Sequence, residues 1–195
     1  NPNNINKKGN FLKRLIFDEI LSTFLINSKI RKTIKKFKKE KKKFNDNFSN
    51  NIKKDLSYEL TSDQTNALNE INNDLKSEEK MFRLLQGDVG SGKTIIALIS
   101  CFNVVNSGYQ VAFMAPTEIL AYQHYKLAQS LLKDKIKIGF LTSKTDYTER
   151  KKIIKDLEAN KIKILFGTHS VFQEKINYNK LGLVVIDEQH KFGVK

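Results

Sequence analysis

A single cysteine, Cys101, stands among the 195 residues. No disulfide can close within the chain, and a reducing, cytoplasmic setting is expected. Long apolar runs are missing as well. None reaches the ~18 residues that a membrane span requires, so no membrane partner is expected. The apolar stretch at 11–26 is broken by Lys13, Arg14, Asp18 and Glu19 and does not read as a signal peptide. There is no internal repeat. The first residue is Asn rather than Met, so a piece of a longer protein is expected. Acid is scarce: 21 Asp and Glu face 35 Lys and Arg, for a net charge of +14.

That imbalance is uneven. Residues 1–60 hold 16 basic and 6 acidic side chains, and most of the excess sits in KIRKTIKKFKKEKKK, residues 29–43. Such a run suits contact with nucleic acid phosphates, although solvated charge runs and a composition biased towards Lys, Asn and Ile look the same. Residues 1–10, rich in Asn with Pro2 and Gly9, read as a loop. From Phe11 a helical period sets in: Leu12, Leu15, Ile16 and Ile20 share one face, and Phe17, Leu21 and Leu25 a neighbouring one. The pattern predicts a long helix over 11–38 that merges into the basic run, then a linker at 39–54. Residues 1–57 thus form a basic helical appendage to a domain at 58–195.

The pattern changes near Leu60. Thr61 is placed to cap a helix over 62–75 with Gln64 in its first turn. Apolar runs then alternate with helical segments: strands at 81–86, 110–115, 137–141, 163–166 and 183–187, and helices at 93–106, 117–132 and 148–159. This alternation predicts an α/β domain with a parallel sheet flanked by helices.

Between the first strand and its helix lies GDVGSGKT, residues 87–94, a full match to G-x-x-x-x-G-K-S/T. Gly87, Gly90 and Gly92 permit backbone angles that side chains resist. With Asp88, Val89 and Ser91 they let the loop turn its N–H groups inward around phosphate oxygens, at the positive end of a helix. Lys93 adds a point charge for the β- and γ-phosphates, and Thr94 a hydroxyl for Mg²⁺. A nucleotide, ATP with Mg²⁺, is the expected cofactor.

Such a loop needs a carboxylate from another strand end. LVVIDE supplies it: Asp187 emerges at the carboxyl edge and suits Mg²⁺, while Glu188 is placed to polarise an attacking water. Alone, an apolar run ending in Asp-Glu is a strand-end turn; paired with GDVGSGKT it predicts hydrolysis. Thr117, Thr142, Ser143, Thr168 and Ser170 also fall at or just past strand ends, where open parallel sheets gather function. Short hydroxyls there suit phosphate contacts, though isolated Thr and Ser more often cap helices.

In this order the motifs resemble superfamily 2 helicases. QGDVGSGKT, MAPTEILAYQH, GTHSVFQEKINYNKLGLVVIDEQHKFGV and LSYELTSDQ resemble the RecG helicases of bacteria, strongly over 58–195 and less so over 11–35, where LKRLIFDEIL is similar to that family's linking helix. The resemblance implies a RecA-like ATP-binding lobe, incomplete at its C-terminal end, of a helicase that acts on branched or forked DNA in repair and recombination. It implies that Gln64 reads adenine with Tyr58 nearby, and that Lys93, Thr94, Asp187 and Glu188 form the ATPase centre. It also implies that Thr117, Thr142, Ser143 and Thr168 touch the DNA backbone, while His190 couples nucleotide to DNA. The stretch after LTS departs from the family by lacking an expected glycine. A wedge domain and a second motor lobe belong to the family and are expected outside these residues. The 195 residues alone are therefore expected to turn over ATP slowly, and a monomer is expected. The alternatives are a transcription-coupled duplex translocase, whose tetrapeptide usually differs from DEQH, and a DNA-binding module with a vestigial loop.

Overall fold

The structure, a computed structural model, describes residues 3–36, 40–43, 50, 52, 54, 56, 58–133, 135–173 and 176–188. Helix α1 spans Asn3–Lys36, α2 Ser62–Lys76, α3 Lys93–Asn106, α4 Glu118–Leu132 and α5 Tyr147–Glu158. Strands β1 (Gln110–Met114), β2 (Ile138–Leu141), β3 (Ile164–Gly167) and β4 (Leu181–Ile186) form one sheet in the order β2-β3-β1-β4. Every neighbouring pair is parallel. The predicted α/β architecture is present.

Capping chemistry sets where the helices start. At α2 the Thr61 hydroxyl accepts from Gln64 N and the Gln64 side chain accepts from Thr61 N, a reciprocal capping box. Thr117 caps α4 through Leu120 N, and Asp146 caps α5 through Thr148 N. Each satisfies a backbone donor that the helix itself leaves orphaned.

Period-two alternation then splits the strands between two cores. Val111 and Phe113 of β1 and Ile164 and Phe166 of β3 face α3 and α4, whose buried Leu98, Phe102 and Ala128 join them, and α2 closes over α3 with Leu68 and Leu75. Met114, Leu141 and Leu165 face the other way, onto Ile153 and Leu157 of α5 and Val171 of the short 3-10 turn His169–Phe172. Buried Gln110 stitches the lower edge together. Its Nε2 donates to Leu157 O at 2.7 Å and Ile162 O at 2.8 Å, and its Oε1 accepts from Lys180 N at 3.0 Å.

Three expectations need correction. Residues 81–86 form no strand: the segment pairs with no ladder among the described residues. Met81 and Leu85 tuck against the core while Phe82 and Leu84 stay exposed. Alternation can mark a face for burial, but a strand also needs a neighbour, and that is not local information. Arg83 instead holds the segment to α2, pairing with Asp74 at 2.7 Å and with Glu70. Second, α1 starts at Asn3, inside the stretch expected to be a loop. Extending an established helix costs far less than nucleating one, so the Asn residues and Gly9 are carried along.

Third, part of the expected linker is packed. Ile52 is buried in the main core, Lys42 N donates to Leu75 O at 3.2 Å, and Lys41 pairs with Glu78 at 3.3 Å. The Lys42 and Lys180 ammonium groups lie 4.9 and 4.4 Å from the centre of the Tyr109 ring, and the Tyr109 hydroxyl donates to Glu40. Long basic side chains thus bury their stems on apolar surface while their charge stays paired. The apolar rows of α1, among them Ile16, Ile20 and Phe24, remain exposed. Residues 37–38 of the predicted helix, and 39, 44–49, 51 and 53 of the linker, lie outside the described residues.

Candidate nucleotide site

Two halves meet at the carboxyl edge of the sheet. The first is the loop 87–92 that opens α3. Gly90 and Gly92 both have φ of +80°, the left-handed region that other residues avoid. A Cβ on Gly90 would meet nothing within 4 Å, whereas one on Gly92 would stand 2.4 Å from Gln64 Nε2. Ser91 N donates to Asp88 O at 3.2 Å, and Ile95 N and Ile96 N both donate to Gly92 O, so the loop closes tightly onto the first helical turn. Val89 is fully exposed at its crest.

Lys93 folds back into the loop. Its Nζ donates to Gly87 O at 2.8 Å and Asp88 O at 2.7 Å. The ammonium is therefore held by the loop's own carbonyls, at the place where phosphate oxygens are expected. Gln64 Nε2 donates to Ser91 O at 2.9 Å, and its Oε1 serves the capping box. The residue expected to read adenine thus braces the loop against α2. Its second N–H and second lone pair remain for another partner. Tyr58 is exposed.

The second half is the end of β4. Asp187 N donates to Met114 O at 2.8 Å, which extends the β1–β4 pairing by one residue and fixes the backbone that carries the carboxylate. Glu188 follows with φ of 52°, an uncommon conformation for a residue with a side chain. His124 Nε2 lies 2.7 Å from Asp187 Oδ2. An ionised carboxylate can only accept, so Nε2 carries the proton and donates. That bond is the main reason why the Asp187 carboxyl is held below the usual aspartate range. Partial burial opposes it, while the charge of His124, the Glu188 N–H and the Lys93 charge add to it. Lys93 and Asp187, 94 positions apart, are close enough to feel each other.

The residues present fit Mg²⁺ bound together with a nucleotide. Thr94 and Asp187 offer one hydroxyl and one carboxylate, and no cluster of three or more His, Cys, Asp or Glu able to hold a metal is found among the described residues. A Mg²⁺ ion suits such a sparse set, because it keeps several waters and takes phosphate oxygens as ligands.

The expected backbone-binding hydroxyls divide. Thr142 and Ser143 both bond Glu118, the residue after Thr117: Ser143 Oγ donates to Glu118 Oε1 at 3.4 Å, the Thr142 side chain bonds the same carboxylate, and Lys144 pairs with it at 2.9 Å. Thr142 is buried, and its hydroxyl accepts from Lys144 N at 3.2 Å within its own turn. Thr168 sits at the head of the 3-10 turn with no capping bond from its side chain, and Ser170 is buried. His190 lies outside the described residues.

Sequence reasoning missed His124 and Glu118. A signal for His124 existed: the inward face of α4 runs Ala121, His124, Ala128 and Leu132, so an imidazole stands in an apolar stripe.

The chain is similar in sequence and fold to known proteins. The profile of the DEAD/DEAH box helicase family matches residues 61–195. The ATP-dependent DNA helicase RecG of Aquifex aeolicus is 50% identical over 129 residues, covering 66% of this chain and 16% of that protein. RecG of Thermotoga maritima is 42% identical over 184 residues, 94% of this chain and 24% of that protein. A solved structure of RecG bound to a three-way DNA junction superposes with a TM-score of 0.83 at 40% identity, over 94% of this chain and 25% of the other. The four-stranded parallel sheet flanked by helices thus matches the RecA-like lobe of that helicase structure. The chain spans a quarter or less of the length of these relatives.

Proposed function

The chain belongs to the DEAD/DEAH box helicase family, and from that premise we propose that it is the ATP-binding lobe of an ATP-dependent DNA helicase. Its substrate is branched DNA, such as replication forks and Holliday junctions, and its setting is repair and recombination in the cytoplasm. The observation that carries this reading is the meeting of GDVGSGKT with Asp187: Lys93 is folded into the loop, and the Asp187 carboxyl is held below the usual aspartate range, chiefly by His124 and also by the Lys93 charge.

The residues take the following parts. The loop N–H groups and the first turn of α3 receive the phosphates of ATP. Lys93 exchanges the carbonyls of Gly87 and Asp88 for β- and γ-phosphate oxygens. Gln64, already bonded to Ser91 O, keeps the loop in register with α2 and turns its free amide valences to adenine. Thr94 and Asp187 would hold Mg²⁺, which when bound would neutralise charge on the phosphates. Glu188 orients and deprotonates water. Thr117, Thr142, Ser143 and Thr168 contact the DNA backbone, and His190 links DNA to the nucleotide. The relatives' wedge domain and second lobe complete the machine, which works as a monomer.

Titration with a fluorescent ADP tests the reading. Lys93→Ala should weaken binding at least ~10-fold, consistent with the loss of a charge-assisted contact worth about 1.5–3 kcal/mol. Equal and negligible binding by the wild type and the variant would mean that the loop is vestigial.

A further inference from the structure

Asp187 leaves the strand at a half-buried position, where the Glu188 N–H acts on its carboxylate and Oδ2 has a side-chain partner inside the protein. The partner is not another residue of the nucleotide loop. It is His124, 63 positions earlier, on the inward face of α4. The imidazole is 7% exposed, and its ring centre stands 5.1 Å from that of Phe113, with planes inclined by 48°. Buried Ala121 and Ala128 flank it on the same helical face. Phe113 is in turn stacked on Phe166, with centres also 5.1 Å apart. The ring is thus fixed by the sheet's core, and among the described residues its polar contact is Asp187 Oδ2.

We propose that His124 is a positioning residue for the metal-binding carboxylate: it ties down Oδ2 so that Oδ1 is the oxygen presented to Mg²⁺. The proposal rests on the reading of Asp187 as a metal ligand given above. Without the imidazole, the carboxylate at the strand exit loses the buried side-chain donor that orients it. A ligand held by a buried donor loses less freedom when the metal binds, and removing such a donor characteristically weakens metal affinity 10- to 100-fold. The location of His124 extends its part. Helix α4 is capped by Thr117 and begins with Glu118, the residue that gathers Ser143 and Lys144. His124 lies seven residues, two helical turns, further along the same rigid element. A shift of α4 at its capped end is therefore passed to the Asp187 carboxylate through a single hydrogen bond.

The test is a Mg²⁺ titration of fluorescent-ADP binding to the full-length protein, which reads binding and not turnover. His124→Leu fills the space without the donor, and His124→Gln restores an N–H. The leucine variant should need ~10-fold more Mg²⁺ for half-maximal binding, with nucleotide affinity in EDTA within twofold of wild type. The glutamine variant should recover most of the difference. If the leucine variant does not fold, His124→Asn, too short to reach Asp187, replaces it with the same expectation. A midpoint within twofold of wild type in the variant lacking the donor, alongside a clear shift in Asp187→Asn, would overturn the positioning role and leave the metal reading intact. No shift in Asp187→Asn would overturn the metal reading and the proposal with it.

Discussion

Gly90 and Gly92 share one backbone conformation, φ of +80°, and differ in what surrounds them. That makes a controlled experiment. Alanine in the left-handed region costs about 1–2 kcal/mol of strain, partly offset by about 0.4–1 kcal/mol from a stiffer unfolded chain. Gly90→Ala should show only this balance, about 1 kcal/mol, because nothing lies within 4 Å of the new Cβ. Gly92→Ala carries the same balance and more: its Cβ falls 2.4 Å from Gln64 Nε2, so the amide must leave. Leaving breaks the bond to Ser91 O, worth about 1 kcal/mol, and disturbs the capping box, worth about 0.5–1 kcal/mol. The total is about 2–4 kcal/mol, and the clash is bounded there because Gln64 is flexible at its far end. Urea unfolding of the chain measures both variants. In a Gln64→Ala background, Gly92→Ala should fall back to about 1 kcal/mol, a coupling of about 1 kcal/mol or more in the double-mutant cycle. Equal costs for the two glycines, or no coupling, would refute the claim that Gln64 braces the loop.

Two more outcomes are expected. Gln110→Ala should lower stability by about 3–5 kcal/mol in the same urea assay, because it strands the carbonyls of Leu157 and Ile162 and the Lys180 N–H; a loss under 1 kcal/mol would mean that water replaces the amide. The hydrogen bond from Lys137 Nζ, at 2.7 Å, is the main reason that the Asp156 carboxyl lies below the ordinary aspartate value. Since the folded value is the lower one, the stabilisation is complete above the unfolded aspartate pKa and fades as pH falls through the folded one. Lys137→Met should raise the Asp156 titration, read by NMR, towards the ordinary value.

Much of the lobe was legible because its signals are local. Thr61 with Gln64 announces a helix start, and the β-branched and aromatic runs of β1 and β3 announce buried strands. The failures share a cause. MFRLLQ has the composition of a strand, but pairing depends on a neighbour that the segment cannot specify. Thr142 and Ser143 both bond Glu118, and the Thr142 hydroxyl also accepts from Lys144 N. Spacing alone does not announce this, because the bend after β2 brings them to a partner on another element.

The site itself depends on a register that no motif encodes. Met114 lies opposite Ile186 in the β1–β4 pairing, so both strands end at one level and Asp187 N closes onto Met114 O. A slip of one residue would turn every β4 side chain to the opposite face, leaving Asp187 unable to meet His124. What fixes the register is the core below: Leu183 and Val185 side by side with Val111 and Phe113, facing α3. Apolar packing thus aims a charged group, and the link from sequence to chemistry runs through those residues. The carboxylate and the phosphate loop share an edge because β4 is held against β1, at the level where α4 begins.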